Sequence, residues 1–150
     1  MDGSEVVVLI KVDADIVTAR QEGRALAGQI GFSGSDQVLI ATAISEAARN
    51  ILQYARSGEI ILDHVKNGEK EGILIIARDQ GPGIPADVLP RIFIPFFTTK
   101  PQGTGLGLAL VQRIVNDHGG TVRVESGGQG TVFTLSFPAR NRVQTAVSPH

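Results

Sequence analysis

Glu46 and Asn50, in the stretch SEAARN, stand four residues apart. On a helix that spacing sends both side chains off one face. A carboxylate beside an amide oxygen suits a hard cation and a base that handles a proton. Taken alone, the pair also fits an ordinary solvated face, although asparagine is a mediocre helix former and sits here mid-helix among better ones. Asp79 closes an otherwise apolar run and is followed at once by QGPGI. A strand end with a tight turn accounts for that pattern. A carboxylate beside a backbone-accessible turn also accepts a hydrogen bond from an amino group, such as that of adenine. Gly103, Gly105 and Gly107 alternate in QGTGLGLALVQRIV, directly against the first turn of a helix. Each interior glycine costs roughly 0.5–1 kcal/mol relative to alanine, so side chains there would hinder something that approaches the backbone. Backbone N–H groups at the positive end of a helix dipole make a phosphate site. The stretch lacks the lysine–serine pair of a P-loop and follows a loop rather than a strand, so neither a P-loop nor a Rossmann reading holds.

The elements that must position these residues follow from periodicity. The β-branched run at residues 6–12 reads as a strand. Asp13 or Asp15 then caps a helix whose positions Ile16, Ala19, Gly23, Leu26 and Ile30 share one face, and Gly31 ends it. A second helix starts after FSGSD with Ser35 as N-cap and runs to Ala55, burying Ala41, Ile44, Ala48, Ile51 and Ala55. SGEIILDHV and GILIIARD read as two strands joined by a turn. Residues 80–104 form a long loop with a short helix near residues 89–93, and loops of that length are functional or disordered. The glycine-led helix follows, apolar at Leu108, Val111, Ile114 and Val115. TVRVES and GTVFTLSF close the domain as a hairpin, with Phe133, Leu135 and Phe137 on one face. The order β-α-α-β-β-loop-α-β-β predicts α+β: a two-layer sandwich with a mixed, mostly antiparallel sheet, helices on one face and polar alternating residues on the other.

The totals restrict the partners. The 150 residues fit one domain at 1–138 with a loose tail at 139–150. A net charge of -1 provides no global field for DNA, RNA or an acidic membrane surface. Cysteine is absent, which removes disulfides, thiol catalysis and cysteine-ligated metal. No apolar run reaches membrane-spanning length and the N-terminus lacks the basic start of a signal, so a cytoplasmic location is expected.

Together the three stretches resemble, in order and spacing, the GHKL superfamily of ATPases and kinases with the Bergerat ATP-binding fold. SEAARN resembles its N box, DQGPGI its G1 box, RIFIPFF its F box and GTGLGL its G2 box, and the likeness covers residues 6–138. It implies that ATP or ADP binds with Mg²⁺ held by Asn50, and with Asp79 on the adenine amino group and Thr131 behind it. Gly81, Gly83 and Ile84 would pass beside base and ribose. Gly103, Thr104, Gly105, Leu106 and Gly107 would meet the phosphates. Phe93, Thr98, Thr99 and Lys100 would belong to a lid over the nucleotide, with Lys100 reaching phosphate or standing as a plain loop charge.

The two ends of the chain resemble different branches. Through the second helix it looks like bacterial serine-protein kinases of the anti-sigma and stressosome-switch type, where a glutamate at the position of Glu46 is the general base. From RIFIPFF onward it looks like sensor histidine kinase catalytic domains. Those kinases carry Lys or His shortly after the N-box asparagine, and Gln53 occupies that place here. The sequence thus suggests a hybrid joined within 77–84, with a natural intermediate branch as the alternative. The resemblance implies a protein kinase acting in trans on a STAS-domain protein, a sigma factor or histidine kinase dimerisation helices. A hybrid that binds nucleotide without efficient transfer is a further reading. His64, His118 and His150 lack the setting of a phosphoacceptor.

Overall fold

Two long stretches with apolar stripes lie near the start of the chain, and β-branched alternating runs flank them. In a computed structural model that describes residues 5–98 and 105–139, they fold as β1 (Val6–Ile10), α1 (Asp13–Ile30), α2 (Gly34–Ala55), β2 (Gly58–Asn67), β3 (Lys70–Asp79), α3 (Gly107–Asp117), β4 (Thr121–Gly127) and β5 (Gly130–Pro138). The strands make one sheet in the order β1-β2-β3-β5-β4. Every described pairing is antiparallel, so the α+β sandwich is present with a sheet that is not mixed.

Both long helices are capped one or two residues before the positions the sequence suggests. Val12 is the N-cap of α1, and Asp15 reaches back from the first turn, its Oδ2 accepting from the amides of Lys11 (2.8 Å) and Val12 (3.0 Å). Ser33, not Ser35, caps α2, with its Oγ accepting from the Asp36 amide. A hydroxyl at the residue just before the helix reaches the open Asp36 amide, whereas Ser35 already lies inside the helix. Gly31 closes α1 with φ 114°, in the left-handed region.

The core lies between the helices and one face of the sheet. Ile16, Ala19, Gly23, Leu26 and Ile30 of α1 are all buried, as are Ala41, Ile44, Ala48 and Ile51 of α2, while Ala55 is half-buried. Phe133, Leu135 and Phe137 face them from β5. His118, at the end of α3, donates from Nδ1 to the Ile114 carbonyl (2.8 Å) and places Nε2 3.0 Å from Asp36 Oδ1. That contact ties the end of α3 to the start of α2. The opposite face of the sheet is polar along β4 and β5, where Arg123, Glu125, Thr134 and Ser136 alternate. On β1 to β3 it carries Val7, Leu9, Ile61 and Ile76, with the Glu59–Arg78 ion pair at one edge. Among the described residues no helix is long and apolar enough to cross a membrane.

Candidate functional site

Asp79 is the last residue of β3, and β5 lies beside it with Thr131 directly opposite. Asp79 Oδ1 accepts two backbone hydrogen bonds, from Gly81 (3.0 Å) and Thr131 (3.3 Å). Among the described residues its second oxygen has no donor. Thr131 is buried, and its hydroxyl does not touch Asp79; it meets Ser126 Oγ at 2.8 Å. Ser126 in turn accepts from the Ile84 amide at 2.6 Å. Support for the carboxylate therefore comes from the Thr131 main chain, while its side chain joins a hydroxyl pair that fixes the Gly83–Ile84 turn.

A cavity of about 410 Å³ opens beside Asp79. One wall is the polar face of α2, from Glu46 through Asn50 to Tyr54; the other is the irregular segment after β3, at Gly83, Ile84, Val88, Ile92, Phe97 and Thr98. Gly105, Gly107 and Leu108 close it at the start of α3. The cavity has two chemically different ends. Asp79 lies near the C-terminal end of α2, where a methyl group on Gly81 would come within 2.7 Å of Ala55 Cβ. Glu46 lies at the other end, about 13 Å away along the helix at about 1.5 Å per residue.

At the Glu46 end, α3 arrives without a side-chain cap, since its N-cap is Leu106. The helix is strongly amphipathic and buries Val111, Ile114 and Val115, and its first residues, Gly107 and Leu108, border the cavity. A Cβ on Gly107 would stand 2.6 Å from Glu46 Oε1, so any larger residue there would push the carboxylate aside. The other carboxylate oxygen, Oε2, accepts from Arg49 Nη1 at 2.8 Å.

Of the sequence-derived candidates, the cavity gathers Glu46, Asn50, Asp79, Gly83, Ile84, Thr98, Gly105, Gly107 and Thr131. Gly81 stands behind its wall, bonded to Asp79. Leu106 precedes α3 and is not part of the wall. Phe93 is not part of it either: its ring packs edge-on against Phe133, centroids 6.4 Å apart, because the core edge buries more of an aromatic surface than a polar cavity does. Its neighbours Ile92 and Phe97 take the wall positions. The short helix near residues 89–93 reduces to a 3₁₀ turn at Leu89–Arg91. Thr99, Lys100, Gly103 and Thr104 lie outside the described residues, as does the tail from residue 140. Two features gave no signal in residue spacing: Arg49, which lines the cavity and reads as an exposed helical charge, and Ser126, a lone hydroxyl at a hairpin end that supports the wall from outside.

Residues 35–141 match the family described as histidine kinase-, DNA gyrase B-, and HSP90-like ATPase. The chain is 46% identical over 110 residues to the serine/threonine-protein kinase RsbT of Bacillus subtilis, covering 73% of this chain and 80% of RsbT. It is also 46% identical over 90 residues to the sensor histidine kinase ZraS of Salmonella typhi, covering 59% of this chain and 19% of ZraS. In fold it is similar to the mycobacterial sensor histidine kinase MprB, with a TM-score of 0.59 and 22% identity over 91% of this chain and 97% of that one. The catalytic domain of the histidine kinase ThkA superposes with a TM-score of 0.56 at 25% identity, over 89% of this chain and 95% of that one. An alignment of 110 residues is longer than either side of a junction at 77–84 in this chain, so it runs across it, as does the 90-residue one. A hybrid origin therefore finds no support: one natural relative spans both regions.

Proposed function

The chain belongs to the histidine kinase-, DNA gyrase B-, and HSP90-like ATPase family and is an ATP-dependent protein kinase domain of that family; we propose that it phosphorylates a serine or threonine hydroxyl on a separate partner protein. The observation that carries this reading is the placement of Asp79 and Glu46 at opposite ends of one cavity, with the start of α3 against Glu46.

The residues present fit the nucleotide. Asp79 offers an acceptor without a described donor, which suits an amino group, and Gly81 and Thr131 hold the carboxylate in place for it. The open amides of α3 suit phosphate oxygens. No group of three or more His, Asp or Glu among the described residues could hold a metal by itself. Asn50 therefore suits a hard cation that completes its shell with phosphate oxygens and water. Bound Mg²⁺ would neutralise phosphate charge.

In the transfer step the acceptor's hydroxyl proton passes to the Glu46 carboxylate. The new bond forms between that oxygen and the γ-phosphorus as the bond to the departing ADP oxygen breaks. The chain's contribution is positioning and electrostatics, supplied by α2 and the start of α3. A STAS-domain protein, whose acceptor is a serine, is the partner class we propose.

The test is incubation with γ-labelled ATP, Mg²⁺ and a STAS-domain acceptor. Acid-stable label that Glu46→Ala reduces by roughly 10²–10⁴-fold, while nucleotide binding persists, supports the reading. Acid-labile label on a histidine-bearing helix hairpin would support the second one, histidine kinase catalysis, which the likeness to ZraS favours. The chain spans about a fifth of ZraS, so that reading requires acceptor helices from elsewhere.

A further inference from the structure

We infer that Arg49 is a latch on the base: it leaves Glu46 for the terminal phosphate of ATP and so frees the carboxylate for the acceptor's proton. The inference rests on the kinase reading above and concerns a residue that reading does not use.

Three groups meet at this end of the cavity. Glu46 Oε1 faces Gly107 at the start of α3, and Glu46 Oε2 is taken by Arg49 Nη1. The Glu46 carboxylate thus contacts Arg49 with one oxygen and faces the first residue of α3 with the other. Arg49 is also the only basic side chain among the described residues that line the cavity. The place where sensor kinases carry a cation is Gln53 here, on the same wall.

A phosphate at the start of α3 would have the Glu46 carboxylate as its neighbour, two like charges side by side. Arg49 removes the conflict by changing partner. The Arg49 side chain is 47% exposed and its pair with Glu46 is an i,i+3 surface pair, a class that contributes little and rearranges easily. A terminal phosphate carries more charge than a carboxylate and accepts from the guanidinium in a bidentate manner. The exchange therefore runs toward phosphate. ADP lacks the γ-phosphate, the group placed to reach Arg49 in this proposal, so the latch responds to ATP alone.

The test is titration of ATP and of ADP, each with Mg²⁺ and without acceptor, into the full chain and its Arg49→Ala, Arg49→Lys, Glu46→Gln and Glu46→Gln/Arg49→Ala variants. Arg49→Ala should weaken ATP about 10- to 100-fold and leave ADP within about twofold, with Arg49→Lys between it and the parent chain. Glu46→Gln should change ATP affinity by a different factor with and without Arg49, because it removes both the competing partner and the like charge that Arg49 offsets. Equal weakening of ATP and ADP, no weakening of either, or the same Glu46→Gln factor in both backgrounds would overturn the latch. These affinities need no acceptor, so failure to phosphorylate any protein would sink the kinase reading and leave this measurement intact.

Discussion

Gly83 backs directly onto Gly127: a methyl group on Gly83 would collide with the Gly127 carbonyl oxygen. The turn after Asp79 is thereby packed against the β4–β5 hairpin, and Gly83 adopts φ +82° to make it. Alanine at 83 meets both a left-handed backbone, about 1–2 kcal/mol for an L-residue, and the collision. Gly83→Ala should lower stability by at least that amount and weaken ATP. A melting temperature equal to that of the parent chain would show that the turn yields without cost.

Asp79→Asn separates binding from folding. The amide keeps one oxygen for the Gly81 and Thr131 amides, so β3 and β5 stay in register. Its NH₂ replaces the second carboxylate oxygen and confronts a donor with a donor. Loss of a charge-assisted bond costs about 1.5–3 kcal/mol, roughly a 10- to 150-fold drop in ATP affinity. Calorimetry should find that drop with the thermal transition nearly unchanged. Unaltered affinity would remove Asp79 from the adenine position.

Which of these residues could be read in advance follows a physical rule. Asp79, Asn50 and the glycines stand out because each violates the local preference of its own element: a charge on an apolar strand, a poor helix former mid-helix, flexible residues at a helix start. The element order was legible for the same reason, since periodicity is local. Arg49 violates nothing. It is a good helix former with a carboxylate one turn before it, and it gains meaning only when α3 brings Gly107 to that carboxylate. Ser126 is equally silent, because its partner Ile84 lies 42 positions away. Phe93 misleads in the opposite sense: an aromatic in a glycine-rich loop reads as a lining residue, yet burial against Phe133 decides its place.

Asp15 provides a pH test of the fold, far from the cavity. The Lys11 amide, then the Val12 amide, hold its carboxyl below the ordinary carboxylate range. A folded pKa below the unfolded one means stabilisation that is complete above the unfolded value and is lost as pH falls through the folded value. Asp15→Asn should therefore melt at a lower temperature than the parent chain at neutral pH. The two melting curves should converge in acid, below the carboxylate range. A gap of constant size across that range would mean that the charge on Asp15 contributes nothing to α1.

Ser126 should control nucleotide affinity from outside the cavity. Its oxygen accepts from the Ile84 amide and shares a hydrogen bond with the Thr131 hydroxyl. Both partners belong to segments that line the cavity at the Asp79 end. Ser126→Ala leaves the Ile84 amide and the buried Thr131 hydroxyl without this partner, at a cost of about 1–3 kcal/mol where water does not replace it. The Gly83–Ile84 turn then loses its tether to β4, while Glu46, Arg49 and the start of α3 are untouched. Base and ribose contacts are common to ATP and ADP, so both should weaken by the same factor, unlike the ATP-only effect expected at Arg49. Turnover at saturating ATP should stay near that of the parent chain, with the change confined to KM. A fall in kcat at unchanged KM would instead mean that the hydroxyl pair acts on the transfer end, and that the two ends of the cavity are not independent.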